Sequence, residues 1–248
     1  TTGECPTILH DEYEKILDFT VRRVAGKVPI VAGAGSNSTA KAVAMTKIAK
    51  KVGCDAVLQV NPYYNKPSQE GLYQHFKKIC TEGGLPIVLY NIPGRTNITM
   101  QPATVARLYN DFPEVIAIKE ATGSLDIATK IAELCDIPIL SGDDSLTVPL
   151  MSMGGKGVVS VLSNVFPDIV TSYVRPAQKG DFATAGKLHV KYHKLMRTMF
   201  VETNPVPVKR TAALLGMCSD VTRSPITPIL PNNEETLVSV LKEYGLVE

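Results

Sequence analysis

Pro86–Glu120 reads PIVLYNIPGRTNITMQPATVARLYNDFPEVIAIKE. The stretch opens on one apolar run, Pro86–Asn91, and closes on another, Val115–Glu120. Both are apolar nearly throughout rather than alternating, as strands are when both faces of a parallel sheet are covered. Between them, Pro102–Tyr109 carries its apolar residues at helical spacing. Strand, helix and strand in about 35 residues form one βα unit with a parallel return.

The same rhythm extends in both directions. Upstream lie the strand candidates Val28–Ala34 and Asp55–Val60, downstream Ile137–Ser141 and Gly157–Leu162. Helical segments separate them: Thr7–Val24, Ser38–Val52, Gln69–Cys80, Leu125–Leu134 and Leu146–Met153. Ser38–Val52 shows the pattern well. Asn37 or Ser38 caps its start, Gly53 follows its end, and Lys47, Lys50 and Lys51 crowd the last turn, where the helix dipole favours cations. After Leu162 no strand candidate remains. Helical segments follow at Asp168–Ala177, Phe182–Phe200, Val206–Gly216 and Glu234–Tyr244, with prolines at the joins. The expected organisation is a (β/α) barrel portion over residues 1–165 and a C-terminal helical region over 166–248.

Strict alternation means an α/β fold with a parallel sheet. An open doubly wound sheet often carries a Gly-rich phosphate loop after its first strand. Gly33-Ala34-Gly35-Ser36-Asn37 is the nearest match, but it lacks the third glycine and the later acidic residue, so it reads as a tight βα turn. The (β/α)8 (TIM) barrel is the expected class. Six strands are two short of closure, so a first β-α-β segment of roughly 40 residues is expected upstream.

Composition narrows the function. Of the 248 residues, 44% are hydrophobic and 20% charged, the balance of an ordinary globular protein, and the net charge is +2. Basic residues occur only in scattered pairs, so nucleic acid is not an expected partner. No apolar run reaches the roughly 18 residues of a membrane span. The five cysteines form no CxxC pair, and with the four histidines they show no metal-ligand spacing. Reduced, mostly buried thiols and a cytoplasmic location are expected.

Parallel α/β folds build their sites at the C-terminal strand ends. Reactive and turn-forming residues collect there: Asn61-Pro62-Tyr63-Tyr64-Asn65, Tyr90 through Thr96, Lys119 through Gly123, and Ser141-Gly142-Asp143-Asp144. The opposite ends, such as Gly83-Gly84-Leu85-Pro86, are plain connectors. Lys119 follows Val115-Ile116-Ala117-Ile118 without a turn. Burial there would favour the neutral amine, the nucleophile that forms imines with carbonyls. An ion pair with Glu120 or Asp143 is an equal reading of the same residue. Tyr90, also at a strand end, is either a proton-transfer group or a core aromatic. Arg95 suits a carboxylate clamp, or is a solvated loop arginine. Asp143-Asp144 has no histidine nearby and reads as a helix cap rather than a metal site.

Taken together, Thr1-Thr2-Gly3-Glu4, Pro62-Tyr63-Tyr64-Asn65-Lys66-Pro67, Tyr90 through Thr96, Ile118-Lys119-Glu120-Ala121-Thr122-Gly123, Gly142-Asp143-Asp144 and Asn204 through Lys209 resemble the dihydrodipicolinate synthase family. That family sits within the pyruvate aldolases, beside N-acetylneuraminate lyase. The resemblance runs from residue 1 to near the C-terminus. It implies that Lys119 forms an imine with pyruvate and that Tyr90 relays protons with Thr2 and with Tyr64 of a neighbouring subunit. Thr1 and Thr2 would hold the pyruvate carboxylate, Arg95 would bind aspartate 4-semialdehyde, and Val159 would pack near the imine. No metal and no dissociable cofactor are implied. A homo-oligomer, dimer or tetramer, is. Two departures stand out. The family's opening strand, helix and second strand are missing. At the lysine-feedback site His10, Asn37 and Tyr63 match, but Lys41 replaces a glutamate, which predicts weak inhibition by lysine. The competing expectations are N-acetylneuraminate lyase or keto-deoxy sugar acid aldolase activity, and a non-catalytic binding scaffold.

Overall fold

The computed structural model describes residues 1–248. Six strands form one sheet in chain order: β1 (Val31–Gly33), β2 (Ala56–Val60), β3 (Ile87–Asn91), β4 (Val115–Glu120), β5 (Ile139–Ser141) and β6 (Gly157–Val158). The β1–β2, β2–β3 and β3–β4 pairs are parallel. The helices are α1 (His10–Val24), α2 (Thr39–Val52), α3 (Gln69–Gly83), α4 (Pro93–Thr96), α5 (Pro102–Asp111), α6 (Leu125–Leu134), α7 (Thr147–Ser152), α8 (Pro167–Gln178), α9 (Phe182–Thr198), α10 (Val206–Leu214) and α11 (Pro231–Glu243). Helix and strand alternate through β6, and helices alone follow, as the sequence pattern predicts.

The chain divides into two compact units. The first holds Leu9–Leu140 and Met153–Lys156. Its core is built from the apolar strands and the inner helix faces, with Leu72, Phe76 and Ile79 of α3, Ile87 and Leu89 of β3 and Ile118 of β4 fully buried. The second holds Thr1–Ile8, Ser141–Ser152 and Gly157–Glu248. There Leu162, Tyr173, Leu195, Met199, Leu237 and Leu241 form one apolar cluster.

Local chemistry sets the boundaries. Ser38 caps α2 by accepting from the Lys41 N–H, and Gly53 ends it at φ +93°. Gly35, in the turn after β1, is required by close approach: a Cβ there would lie 2.4 Å from the Val60 nitrogen. Gly33 itself ends β1, and residues 34–38 link the strand to α2 against β2, with the Ala34 N–H donating to the Leu58 carbonyl.

Several elements are shorter than the sequence suggests. β1 begins at Val31 rather than Val28, because Pro29 has no N–H and the Ile30 N–H is taken by the Asp55 carboxylate at 2.7 Å. β6 stops at Val158, since the Val161 and Leu162 N–H groups bind the Asp144 side chain and Leu162–Asn164 turns into a 3-10 helix. The expected Thr7–Val24 helix is a 3-10 turn at Cys5–Thr7 followed by α1, whose start is fixed by Glu12 accepting from the Leu9 N–H. Pro93–Thr96, read as a turn, is one helical turn. The cysteines are free, but only Cys54 and Cys80 are buried; Cys5 and Cys218 are exposed, correcting the reading of mostly buried thiols. Burial pushes the Cys80 thiol up to about 12, which leaves it unreactive.

Candidate active site

In the first unit, β3 and β4 pair so that Tyr90 stands opposite Lys119 and Asn91 opposite Glu120. Successive strand residues face opposite ways. Tyr90 and Lys119 therefore share one face, and Asn91 and Glu120 share the other. Lys119 is 9% exposed and Tyr90 6%. The Lys119 Nζ lies 4.1 Å from the centre of the Tyr90 ring, on its face. A lysine held this deep has little of the hydration that steadies an exposed ammonium. Both side chains project from paired strands, so their separation is fixed by the sheet and not by a loop.

The other face carries a buried polar cluster that the sequence reading missed. Asn61, Asn91 and Glu120 are all buried. Asn61 Nδ2 donates to Asn91 Oδ1 at 3.0 Å, and Asn91 Nδ2 donates to Glu120 Oε2 at 3.2 Å. Glu120 Oε1 accepts from the Thr122 N–H at 2.6 Å. Each residue closes or directly follows an apolar run, at β2, β3 and β4. A polar residue continuing a buried strand was the signal available, and it was read only for Tyr90 and Lys119.

Arg95 lies on α4 and is exposed, while its neighbour Thr96 is buried. The Thr96 hydroxyl lies 3.0 Å from the carbonyl oxygens of both Ile92 and Ile98. Tyr64 is 91% exposed, with its backbone in the left-handed region at φ +74°. Such a backbone is costly for a bulky residue. Asn65 beside it ties the loop down, donating to the Asn37 carbonyl at 2.9 Å.

The second unit carries the remaining predicted residues. The Thr2 hydroxyl accepts from Asn204 Nδ2 at 2.9 Å. Glu4 adopts φ +54° and bonds Lys209 Nζ and the Arg223 N–H, each at 2.7 Å. Burial raises the Glu4 carboxyl, but Lys209 and Arg223 outweigh it and hold the group below the usual carboxylate range. The four-residue segment opening with Thr1 and Thr2 is thus pinned at its far end. Val159 is half-buried, and its N–H donates to the Ser141 carbonyl at 2.9 Å.

The expected helix-capping role of the aspartate pair is corrected. Asp143 makes no side-chain cap bond. Asp144 is fully buried and reaches across instead: its Oδ2 accepts from Val161 and Leu162 at 3.0 and 3.1 Å, securing the turn beyond Val159. Burial, and then the Asp144 carboxylate, push the Tyr173 phenol upward. No group of three or more His, Cys, Asp or Glu side chains is placed to hold a metal ion, and no helix is long and apolar enough to cross a membrane. Of the predicted residues, Lys119 and Tyr90 are brought into contact. Arg95, on α4, and Tyr64, in the loop after β2, belong to the same unit, and Thr1, Thr2 and Val159 belong to the other.

Residues 1–244 match the model of the Dihydrodipicolinate synthetase family. A 4-hydroxy-tetrahydrodipicolinate synthase of Endomicrobium trichonymphae is 51% identical over 249 residues, covering 100% of this chain and 86% of that protein. The crystal structure of dihydrodipicolinate synthase from Aquifex aeolicus superposes with a TM-score of 0.97 at 45% identity, covering 99% of this chain and 84% of that one. A monomeric dihydrodipicolinate synthase variant gives 0.97 at 43%, covering 99% and 85%. At this identity and coverage the conclusion is direct: the chain belongs to the dihydrodipicolinate synthetase family.

Proposed function

We propose that the chain condenses pyruvate with aspartate 4-semialdehyde to 4-hydroxy-tetrahydrodipicolinate, in the diaminopimelate and lysine pathway, through an imine on Lys119. The carrying observation is the buried Lys119 amine seated on the Tyr90 ring. The neutral amine adds to the pyruvate ketone and water leaves, forming the imine. Loss of a methyl proton gives the enamine, whose carbon attacks the aldehyde and forms the new C–C bond. The aldehyde oxygen takes up a proton. The amino group of the bound semialdehyde then attacks the imine carbon, closing the ring and releasing Lys119. Water is the only other product.

Each step moves a proton, and Tyr90 is the titratable group beside the amine. In this reading Tyr90 passes protons with Thr2 and with Tyr64 of a neighbouring copy. Thr1 and Thr2 hold the pyruvate carboxylate, Val159 packs beside the imine, and Arg95 takes the carboxylate of the semialdehyde. A large aromatic that is almost fully exposed, in a strained backbone, supports a partner for Tyr64 and hence a homo-oligomer. The parallel strand order supports membership of a (β/α)8 barrel. Five free thiols support a cytoplasmic setting.

Steady-state turnover of pyruvate with aspartate 4-semialdehyde, compared with cleavage of N-acetylneuraminate and keto-deoxy sugar acids, tests the assignment. Dominant turnover of the semialdehyde is expected. Preference for a sugar acid, or no turnover by a folded protein, would overturn it in favour of a sister aldolase or a scaffold.

A further inference from the structure

All four hydrogen-bonding positions of the Asn91 side chain are occupied, and two of them go to one residue. Oδ1 accepts from Asn61 Nδ2 and from the Met100 N–H, both at 3.0 Å. Nδ2 donates to Glu120 Oε2 and to the Met100 carbonyl, both at 3.2 Å. Asn91 closes β3, and Met100 comes nine residues later. A single amide thus closes the chain from Ile92 to Thr99 into a loop. Arg95 sits in the middle of that loop, on α4.

The interior of the loop is equally constrained. The Arg95 N–H donates to the Ile92 carbonyl, the Asn97 N–H to the Pro93 carbonyl, and the buried Thr96 hydroxyl bridges Ile92 and Ile98. The backbone under Arg95 has little freedom left. At the other end of the cluster, the Asn91 carbonyl accepts from the Ala121 N–H at 2.9 Å, and Glu120 grips Thr122. The turn after Lys119 and the loop of Arg95 therefore share one anchor. Apolar side chains would join the strands more cheaply than buried amides, which stabilise little unless fully satisfied. What a buried amide with all four positions filled, as in Asn91, adds is one defined geometry.

We infer that Asn91, tied to Glu120, is a positioning residue that holds the Arg95 loop for the carboxylate of the acceptor aldehyde, and so sets acceptor affinity rather than imine formation. The inference rests on the reading of Lys119 and Arg95 given above. Asn91 faces away from Lys119 and Tyr90, so its loss should spare the imine step.

The test compares Asn91→Ala, Thr96→Val and Arg95→Ala with the parent, alone and with Asn91→Ala and Arg95→Ala combined. KM is measured for each substrate, and pyruvate is trapped on Lys119 by borohydride. For Asn91→Ala, KM for aspartate 4-semialdehyde should rise between about ten- and a hundredfold, the range for a group displaced by an ångström. KM for pyruvate and the trapped yield should stay within about twofold, since the imine geometry is untouched. Adding Asn91→Ala to Arg95→Ala should raise the acceptor KM no further. Thr96→Val keeps the strand ends intact and should show the same split, more weakly; it carries the test if Asn91→Ala does not fold. Trapping at the parent level with an unchanged acceptor KM overturns the inference alone, as do parallel rises for both substrates or full additivity with Arg95→Ala. Absence of trapped pyruvate on the parent protein overturns the functional reading, and the inference with it.

Discussion

Lys119 and Tyr90 face each other across the β3–β4 ladder, the Lys119 Nζ 4.1 Å from the ring centre. With Lys119 as the proposed nucleophile, Tyr90 would have two separable roles: its ring packs against the Lys119 head group, and its hydroxyl would carry protons. Tyr90→Phe keeps the first and removes the second. Pyruvate should still be trapped on Lys119, while kcat falls by about 10²–10³, the usual contribution of a proton-transfer group. Quantitative trapping alongside steady-state rates checks this, and a variant with near-parental kcat would remove Tyr90 from the proton path.

Glu4 gives a pH prediction. Its folded-state carboxyl lies below the usual range despite burial, because Lys209 and the Arg223 N–H favour the charged form. The contribution to stability is therefore complete above the unfolded-state value near 4.3 and is lost as pH falls through the lower folded-state value. Glu4→Gln should lower Tm at pH 7 and show a shallower loss of Tm below pH 4. If Thr1 and Thr2 hold the pyruvate carboxylate, the same variant should also raise KM for pyruvate. Identical melting profiles for parent and variant across pH 3–7 would show that the ion pair contributes nothing.

His75 acts in the opposite chemical sense, with the same dependence on acid. It is buried on α3, its Nδ1 is 2.9 Å from the Thr39 hydroxyl, and burial lowers its pKa to about 4. Below pH 6.5 the unfolded chain binds a proton that the folded chain refuses. Stability is therefore full above pH 6.5 and falls as pH drops toward 4, by up to ~3 kcal/mol. His75→Asn, which places an amide near Nδ1, should flatten the unfolding free energy over that window. Denaturant titrations at pH 4.5 and 7 measure it; an unchanged difference would mean that His75 charges freely in the folded state.

Lys41 is exposed on the first turn of α2, where the resemblance to lysine-inhibited relatives calls for a glutamate. A cation should repel the ammonium groups of lysine. Weak or absent feedback inhibition is expected, with Lys41→Glu more sensitive than the parent. Lysine titration of the initial rate decides it, and an inhibition constant in the low-millimolar range or tighter for the parent would contradict it.

The alternation of β-branched runs with helical periodicity was legible because burial on both faces leaves its mark on every residue of a strand. β4 and α6 fall at their predicted bounds for that reason. Strand ends were less legible. β1 and β6 are cut short by side chains distant in sequence, Asp55 and Asp144, which take the N–H groups that a ladder would use. Lys119 and Tyr90 stood out as candidate reactive groups at the ends of apolar runs, with an ion pair and a core aromatic as the competing readings. Asn61, Asn91 and Glu120 carried the same positional mark, but amides and a carboxylate at strand ends read as ordinary turn chemistry until the register brings them together. Tyr64 and Thr2 came from motif resemblance alone, and Arg95 stayed open between a carboxylate clamp and a solvated arginine, since nothing in its spacing tells one from the other.

The central claim is the imine on Lys119. Incubation with pyruvate, reduction with borohydride and peptide mapping by mass spectrometry test it directly. A reduced pyruvate adduct on Lys119 alone is expected, absent without pyruvate and absent in Lys119→Ala. A folded protein that yields no adduct, or one that carries it on another lysine, would contradict it.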